Sequence, residues 1–336
     1  MKLSPPSLPK RILLISFILF LFLFATGVLG LTMGSSPESL ISSIKWLFGD
    51  RPQDSMLGSI IWEIRLPRVL MAALVGATLA LGGLVFQALL RNPLAEPYIL
   101  GISGGSAIGA IAGILLGFSR FPGVTLTAFS GSLTSLGAIL LISSGRSMLR
   151  KDALLLSGVM INAFCSAIIM FMVSMTQDSR LHNIIFWLMG DLSLVSLSQT
   201  GILVLMIFPC FILLFYFSYP MNLILMGKEL AHTMGVDIRK ITFLLLLVTS
   251  FMISATVSNC GLLGFVGLVI PHLLRLLLGP DHRVLVPASI LGGGIYMILC
   301  DLLARTLPEQ GEIPVGVITA MIGAPVFIFL LKKSQR

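Results

Sequence analysis

The sequence has little charge. Only 11% of its 336 residues are Asp, Glu, Lys or Arg, less than half the share of an ordinary soluble domain. Hydrophobic residues make up 56%, and mean hydropathy is +1.03. That balance excludes a soluble globular enzyme and a disordered chain. Cysteine is equally scarce. Cys165, Cys210, Cys260 and Cys300 stand far apart in apolar stretches, with no CxxC and no histidine at ligand spacing. A disulfide scaffold is excluded, no metal site or cofactor is indicated, and the four read as small apolar packing residues. No GxxxxGK[ST], HExxH or GxSxG occurs, and no catalytic pair of carboxylates. The chain therefore has no P-loop ATP site of its own and is not read as an enzyme. The net charge of +8 comes without a basic run interleaved with aromatics, so nucleic acid is not a partner.

What is present is a series of charge-free runs. The first, Ile12–Pro37, follows Lys2, Lys10 and Arg11. It is too long for a signal-peptide core and reads as a retained first helix with its N-terminus inside. Further runs are Val69–Leu90, Pro97–Ser119, Phe121–Gly145, Ala153–Gln177, Leu192–Gly227, Ile241–Leu274, Val284–Cys300 and Ile313–Leu331. Leu192–Gly227 exceeds one crossing of roughly 20 residues, and it ends in a polar-leaning piece around Tyr219, Pro220 and Asn222. Ile241–Leu274 divides at the turn-like cluster Ser258-Asn259-Cys260-Gly261. The expectation is an all-α polytopic protein of about ten transmembrane helices. With both termini inside, the inner face collects Lys2, Lys10, Arg11, Arg91, Arg146, Arg150, Lys151, Lys228, Arg239, Lys240, Arg275, Arg283, Lys332, Lys333 and Arg336. The positive-inside bias supports that topology.

Glycine is abundant, with 33 residues, many of them clustered inside the runs. Small residues let helix backbones approach closely where lipid supplies no hydrophobic drive. In the long first outer loop, Pro37–Phe48 has the apolar spacing of a short interfacial helix, with Trp46 and Trp62 suited to the interface. In the loop 221–240, the stretch Gly227-Lys-Glu-Leu-Ala-His-Thr-Met-Gly235 reads as a short helix capped by Gly235. Gly227, Ala231 and Gly235 recur every four positions and give it one smooth face, which suits a groove in another protein or a plain connector. Gly83-Leu-Val-Phe-Gln-Ala-Leu-Leu-Arg91 resembles Gly267-Leu-Val-Ile-Pro-His-Leu-Leu-Arg275, either as an internal repeat or by chance.

Ionisable groups inside the runs are few. Asp301 and Arg305 are spaced for a local ion pair. His272, after Pro271, reads as a hydrogen-bonded packing residue. Arg65, Arg68 and Arg305 lie near the outer ends of helices, either as snorkelling anchors or as a docking surface for carboxylates. A gradient-driven secondary transporter normally carries buried coupling groups, so for a transporter the energy source lies on another chain. A polytopic membrane enzyme lacks its clustered polar groups.

Four blocks, in order from Arg65 to Pro325, carry a resemblance. The first is Arg65-Leu-Pro-Arg68 through Gly76, Gly83 and Gln87 to Arg91-Asn92-Pro93-Leu-Ala-Glu-Pro97. The second is Gly227…Ala231…Gly235. The third is Gly264-Phe-Val-Gly-Leu-Val-Ile-Pro271-His272 with Gly279-Pro-Asp-His-Arg283. The fourth is Asp301, Arg305 and Glu312-Ile-Pro-Val-Gly-Val-Ile-Thr-Ala320, then Gly323-Ala-Pro325. The pattern resembles the FecCD-type permease family, the membrane subunits of ABC importers for ferric siderophores, haem and vitamin B12. The resemblance implies a single transmembrane domain over residues 1–336 of the type II importer kind, in the bacterial cytoplasmic (inner) membrane. It implies a homodimer with the pathway at its interface, two separate ATP-binding cassette ATPase subunits and an extracytoplasmic binding protein. Gly227, Glu229, Leu230, Ala231 and Gly235 would form the ATPase-coupling helix. Arg65, Arg68 and Arg305 would meet acidic residues of the binding protein. Gln87, Asn92, Pro93, Pro271 and His272 would belong to the pathway or its structural motif. The expected cargo is a ferric siderophore, with vitamin B12 or haem as alternatives. The chain departs from the family pattern at Met226, Met234, Asp191 and Gly104-Gly105-Ser106, which bears on substrate identity.

Overall fold

A computed structural model describes residues 7–34, 56–96, 98, 101–143, 151–176, 179–308 and 311–334. Among them every regular element is helical. In chain order these are α1 (Leu8–Thr32), α2 (Leu66–Leu90), α3 (Ile102–Leu115), α4 (Thr125–Ile142), α5 (Lys151–Ser174), α6 (Ser179–Met189) and α7 (Leu197–Tyr216). They continue with α8 (Ser218–Met226), α9 (Lys228–Thr233), α10 (Ile238–Cys260), α11 (Val266–Leu278), α12 (His282–Thr306) and α13 (Val315–Ser334). A short turn at Met56–Ser59 and a π-wound stretch, Ile60–Arg65, lead into α2. Among the described residues, seven helical stretches are long and apolar enough to cross a membrane, and α3, α11 and Val315–Leu330 are shorter apolar helices. The Pro37–Phe48 helix expected from sequence lies outside the described residues.

The bundle is organised about α2. Of its most apolar window, 83% is buried, against 6% for α1, so α2 is the interior helix and α1 faces outward over most of its length. Two glycines make this possible. A Cβ built on Gly76 would fall 2.1 Å from Gly293 O of α12, and one on Gly293 would fall 2.2 Å from Gly76 O. A Cβ on Gly83 would fall 2.0 Å from Gly267 O of α11. The backbones thus touch directly, which maximises dispersion contact where lipid gives no hydrophobic drive. The pair α3 and α4 closes the same way, through Gly105 and Gly131.

Helix ends follow local chemistry. Arg91 takes the left-handed conformation at the end of α2, and Asn92 Oδ1 accepts the Leu94 N–H at 2.9 Å, so Asn92 and Pro93 form a surface turn. Gly261, φ +76°, ends α10, and Gly279, φ +84°, ends α11 ahead of Pro280. The expected division of Ile241–Leu274 is therefore present, displaced slightly to Gly261–Phe265. The sequence reading treated Pro97–Ser119 as one run. The structure instead starts α3 only at Ile102, and α11 only at Val266. Because Gly267 lies on Gly83, α11 starts roughly 26 Å along α2 from the latter's outer end at 1.5 Å per residue. Its first turn is thus deep inside the bundle. The two similar stretches, Gly83–Arg91 and Gly267–Arg275, lie against each other there, the first closing a long helix and the second opening a short one.

The glycine contacts are expected to be intolerant of any side chain. Gly76→Ala or Gly293→Ala should cost about 1–3 kcal/mol by overpacking, read as thermal unfolding of the detergent-purified protein. Gly137→Ala, where a Cβ meets nothing within 4 Å, should leave the midpoint unchanged. Equal effects at the two sites would refute the backbone-contact account.

Candidate functional site

Polar groups gather at three levels of this apolar bundle. At the outer end, the Gly76–Gly293 contact sets the register of antiparallel α2 and α12. Arg68 and Asp301 each lie eight residues outward from their glycine, and they meet with Nε to Oδ1 at 2.7 Å. Arg68 Nη1 also reaches Glu312 Oε2 at 2.5 Å. Arg305 Nε lies 3.0 Å from Asp301 Oδ2, so the expected i,i+4 ion pair is present, though without hydrogen-bond geometry. The other donors of the cluster close α1. Arg65 Nη1 donates to Leu31 O at 2.9 Å and Thr32 O at 3.1 Å, and Arg305 donates to Gly30 O at 3.2 Å and Met33 O at 3.3 Å. Cations thereby satisfy carbonyls that the last helical turn leaves orphaned.

The three arginines that the sequence offered as an outer rim are thus brought together, but not as exposed cations. Each is only 4% exposed and already engaged within its own chain. That these guanidiniums face in-chain carboxylates and carbonyls was invisible in a linear reading. The outermost acidic member is Glu312, at 33% side-chain exposure.

Midway, the break between α10 and α11 is satisfied by side chains. Tyr98 Oη donates to Leu263 O and accepts the Leu263 N–H, both at 2.6 Å, and Glu96 Oε1 accepts the Phe265 N–H at 2.8 Å. Phe265 itself has φ +68°, a conformation that costs a bulky residue on the order of 1–3 kcal/mol. Beside the break, Cys260 O accepts the Asp191 N–H at 2.9 Å, and Asp191 pairs with Arg120 at 2.8 Å. Burial pushes the Asp191 carboxyl upward, but Arg120 and the Ser193 donors outweigh it and hold its pKa below the usual range. Gln87 donates to Gly267 O at 3.1 Å and accepts from Arg275 at 3.1 Å, so it ties α2 to α11. Pro271 and His272 are buried in α11. The hydrogen-bonded role expected of His272 is not found. Among the described residues neither ring nitrogen has a partner, and the ring instead meets Phe327 edge-on at 6.0 Å. Sequence reasoning passed over Glu96, Tyr98 and Phe265 as individual residues. The signal for them was a carboxylate inside a chain with few charges.

At the inner end, Asn222 of α8 donates to Asp281 at 2.7 Å and accepts the His282 N–H at 2.9 Å. Hydrogen bonds from Arg283 hold the Asp281 carboxyl down to about 2, so this cap on α12 is ionised at any physiological pH. The short helix α9 follows, bracketed by Gly227 at φ +138° and Gly235 at φ +78°. The bond from Val236 N–H to Ala231 O, 3.0 Å, completes a Schellman-type end at Gly235. The three small residues do not share one environment: Ala231 is fully buried, Gly227 half-buried and Gly235 exposed, while Leu230 (42%) and Met234 (57%) are exposed. The Glu229 side chain lies outside the described residues.

With this geometry in hand, the chain can be compared with known proteins. The FecCD transport family matches residues 18–333. The chain belongs to that family. Among curated FecCD relatives, the vitamin B12 import system permease protein BtuC of Salmonella arizonae is 40% identical over 300 residues, 89% of this chain and 90% of the relative. BtuC of Salmonella typhi is 41% identical over 278 residues, 82% and 84% of the two chains. An inward-facing metal-chelate type ABC transporter superposes with TM-score 0.84 at 33% identity, over 95% of this chain and 99% of that one. PsaBC of Streptococcus pneumoniae, at 17% identity and TM-score 0.53, shares the fold alone. The protein is thus an ABC-importer permease of the FecCD family, all-helical and multi-pass.

Within this permease the outer cluster is expected to act first as structure. Asp301→Asn leaves buried Arg305 without a carboxylate and Arg68 with Glu312 alone, and should cost about 3–5 kcal/mol, lowering the thermal midpoint sharply. Glu312→Gln, at the exposed edge, should cost about 0–1 kcal/mol. A mild Asp301→Asn variant would show that α2 and α12 are not held by these pairs.

Proposed function

We propose that this chain forms the translocation pathway of an ATP-driven importer for a large metal chelate, working as a homodimer by alternating access. The observation that carries the proposal is the family match across nearly the whole chain, residues 18–333. The three shorter apolar helices complete ten crossings alongside the seven longer ones, with both termini in the cytoplasm of a bacterial cell. Two separate ATPase subunits sit beneath the inner face, and α9 is their coupling helix. Its exposed Leu230 and Met234, rather than the inward Ala231, present the apolar anchors that a groove would take. An extracytoplasmic binding protein docks at the outer face over Arg65, Arg68 and Arg305. Three guanidiniums against Asp301 and Glu312 leave that cluster net positive, which suits acidic partner residues.

For the cargo we take a ferric siderophore as the first reading. Vitamin B12 is the second, favoured by the relatives at 40–41% identity, which are vitamin B12 import permeases. A metal chelate covers both and matches the description of the solved neighbour. The deciding measurement is ligand binding by the partner binding protein, over a panel of ferric siderophores, haem and cobalamin. Nanomolar selectivity for cobalamin would replace the siderophore reading.

Two further outcomes are expected in the reconstituted complex. Leu230→Glu with Met234→Glu should lower ATP-driven uptake about tenfold or more, since charged groups would enter an apolar groove, while the permease still purifies as a folded protein. Unchanged uptake and ATPase stimulation would remove α9 from the coupling role. Glu312→Gln should tighten docking of the binding protein about threefold or more and steepen its salt dependence, because it removes an in-chain competitor for Arg68. An unchanged Kd and salt slope would separate this cluster from docking.

A further inference from the structure

Between α10 and α11 the chain leaves helix for Gly261–Phe265, inside the bundle. Amides buried in a membrane protein need partners within the protein. Here Tyr98 and Glu96, from the segment between α2 and α3, supply three of those hydrogen bonds, at 2.6, 2.6 and 2.8 Å. Side-chain partners can release and re-form without unwinding a helical rung. Tyr98 fixes Leu263, and Glu96 fixes Phe265 two residues on, which lies in the left-handed region at φ +68°. A strained residue persists only where its surroundings over-determine it, and such residues cluster at switch elements. The Phe265 side chain lies directly over Gly323 of α13. A Cβ built on Gly323 would fall 2.4 Å from Phe265 Cβ and 3.0 Å from its Cγ. Gly323 is therefore a notch, and the base of the Phe265 side chain occupies it.

We propose that Phe265 is a positioning residue for transport: held in its strained conformation by Glu96 and Tyr98, it seats in the Gly323 notch and couples the position of α13 to that of α11. The far end of α11 turns at Gly279 into Asp281 and His282, both hydrogen-bonded to Asn222 of α8, and α8 runs into α9. A displacement of α9 therefore has a contiguous route through α8, the 279–282 turn, α11 and Phe265 to α13. The inference rests on the importer reading above, in which α9 meets the ATPases. A static filler at this position would contribute stability and nothing more.

The test uses the complete reconstituted importer and three readouts: uptake, ATP hydrolysed per substrate imported, and the thermal midpoint. Gly323→Ala should lower uptake about tenfold, because the added methyl group unseats Phe265. Phe265→Gly removes both side chain and strain. It should fold with a midpoint near wild type while ATP hydrolysed per substrate rises about fivefold or more. Phe265→Asn, which tolerates the same backbone region, serves the same purpose should the glycine variant fail to fold. Combining Gly323→Ala with Phe265→Gly should be strongly non-additive, with uptake within about threefold of Phe265→Gly alone. Glu96→Gln keeps an acceptor oxygen and should behave as wild type, whereas Glu96→Ala should resemble Phe265→Gly. A wild-type coupling ratio in Phe265→Gly, or additive losses in the double variant, would overturn the proposal in favour of a static filler. Absence of ATP-dependent uptake by the wild-type complex would instead defeat the importer reading, and the transport role of Phe265 with it.

Discussion

Direct backbone contact between helices is the interaction on which the remaining features depend. Gly76 against Gly293 and Gly83 against Gly267 bring α2 into contact with α12 and α11 with no side chain between them. In lipid, such close approach replaces the hydrophobic drive that would assemble a soluble core. The contacts also act as registers. The first aligns Arg68 with Asp301 two turns outward. The second brings Gln87 within reach of Gly267 O and Arg275. A polar axis thus runs along an apolar helix because two glycines fix where its neighbours stand.

The bundle handles its few charges by pairing or capping them. Arg65 and Arg305 close the carbonyl end of α1, and Asp301 sits between Arg68 and Arg305. Charge at the outer end is therefore committed to structure before any partner arrives, and a docking protein would meet an arrangement already balanced to within one charge. At the inner end, Asp281 and Asn222 join α8 to the start of α12, so α9 hangs from a hydrogen-bonded corner rather than from a loose loop. Both faces at which partners are proposed to dock are rigidly tied to the interior.

Much of this was legible in the linear chain. Low charge and long apolar runs announce a polytopic helical protein, because lipid admits few other solutions. The Asp301–Arg305 spacing announced an ion pair, and Gly227…Gly235 announced a short capped helix, since both depend on local geometry. Other readings needed the fold. The arginines read as a rim because each stands at a helix end; that they face one another's carboxylates depends on helices far apart in sequence. Ala231 read as an outward face because a stripe of small residues has no direction until the helix is docked. His272 read as hydrogen-bonded because buried polar groups usually are, yet its neighbour is Phe327.

By itself, then, the sequence determined helical class and family, because hydropathy and long motifs are properties of consecutive residues. Tertiary structure alone decided which helix is central, where α3 and α11 begin, and that Glu96 and Tyr98 serve the break ending at Phe265. Those outcomes arise from unpaired backbone groups finding partners more than 160 residues away, a separation that no local pattern encodes.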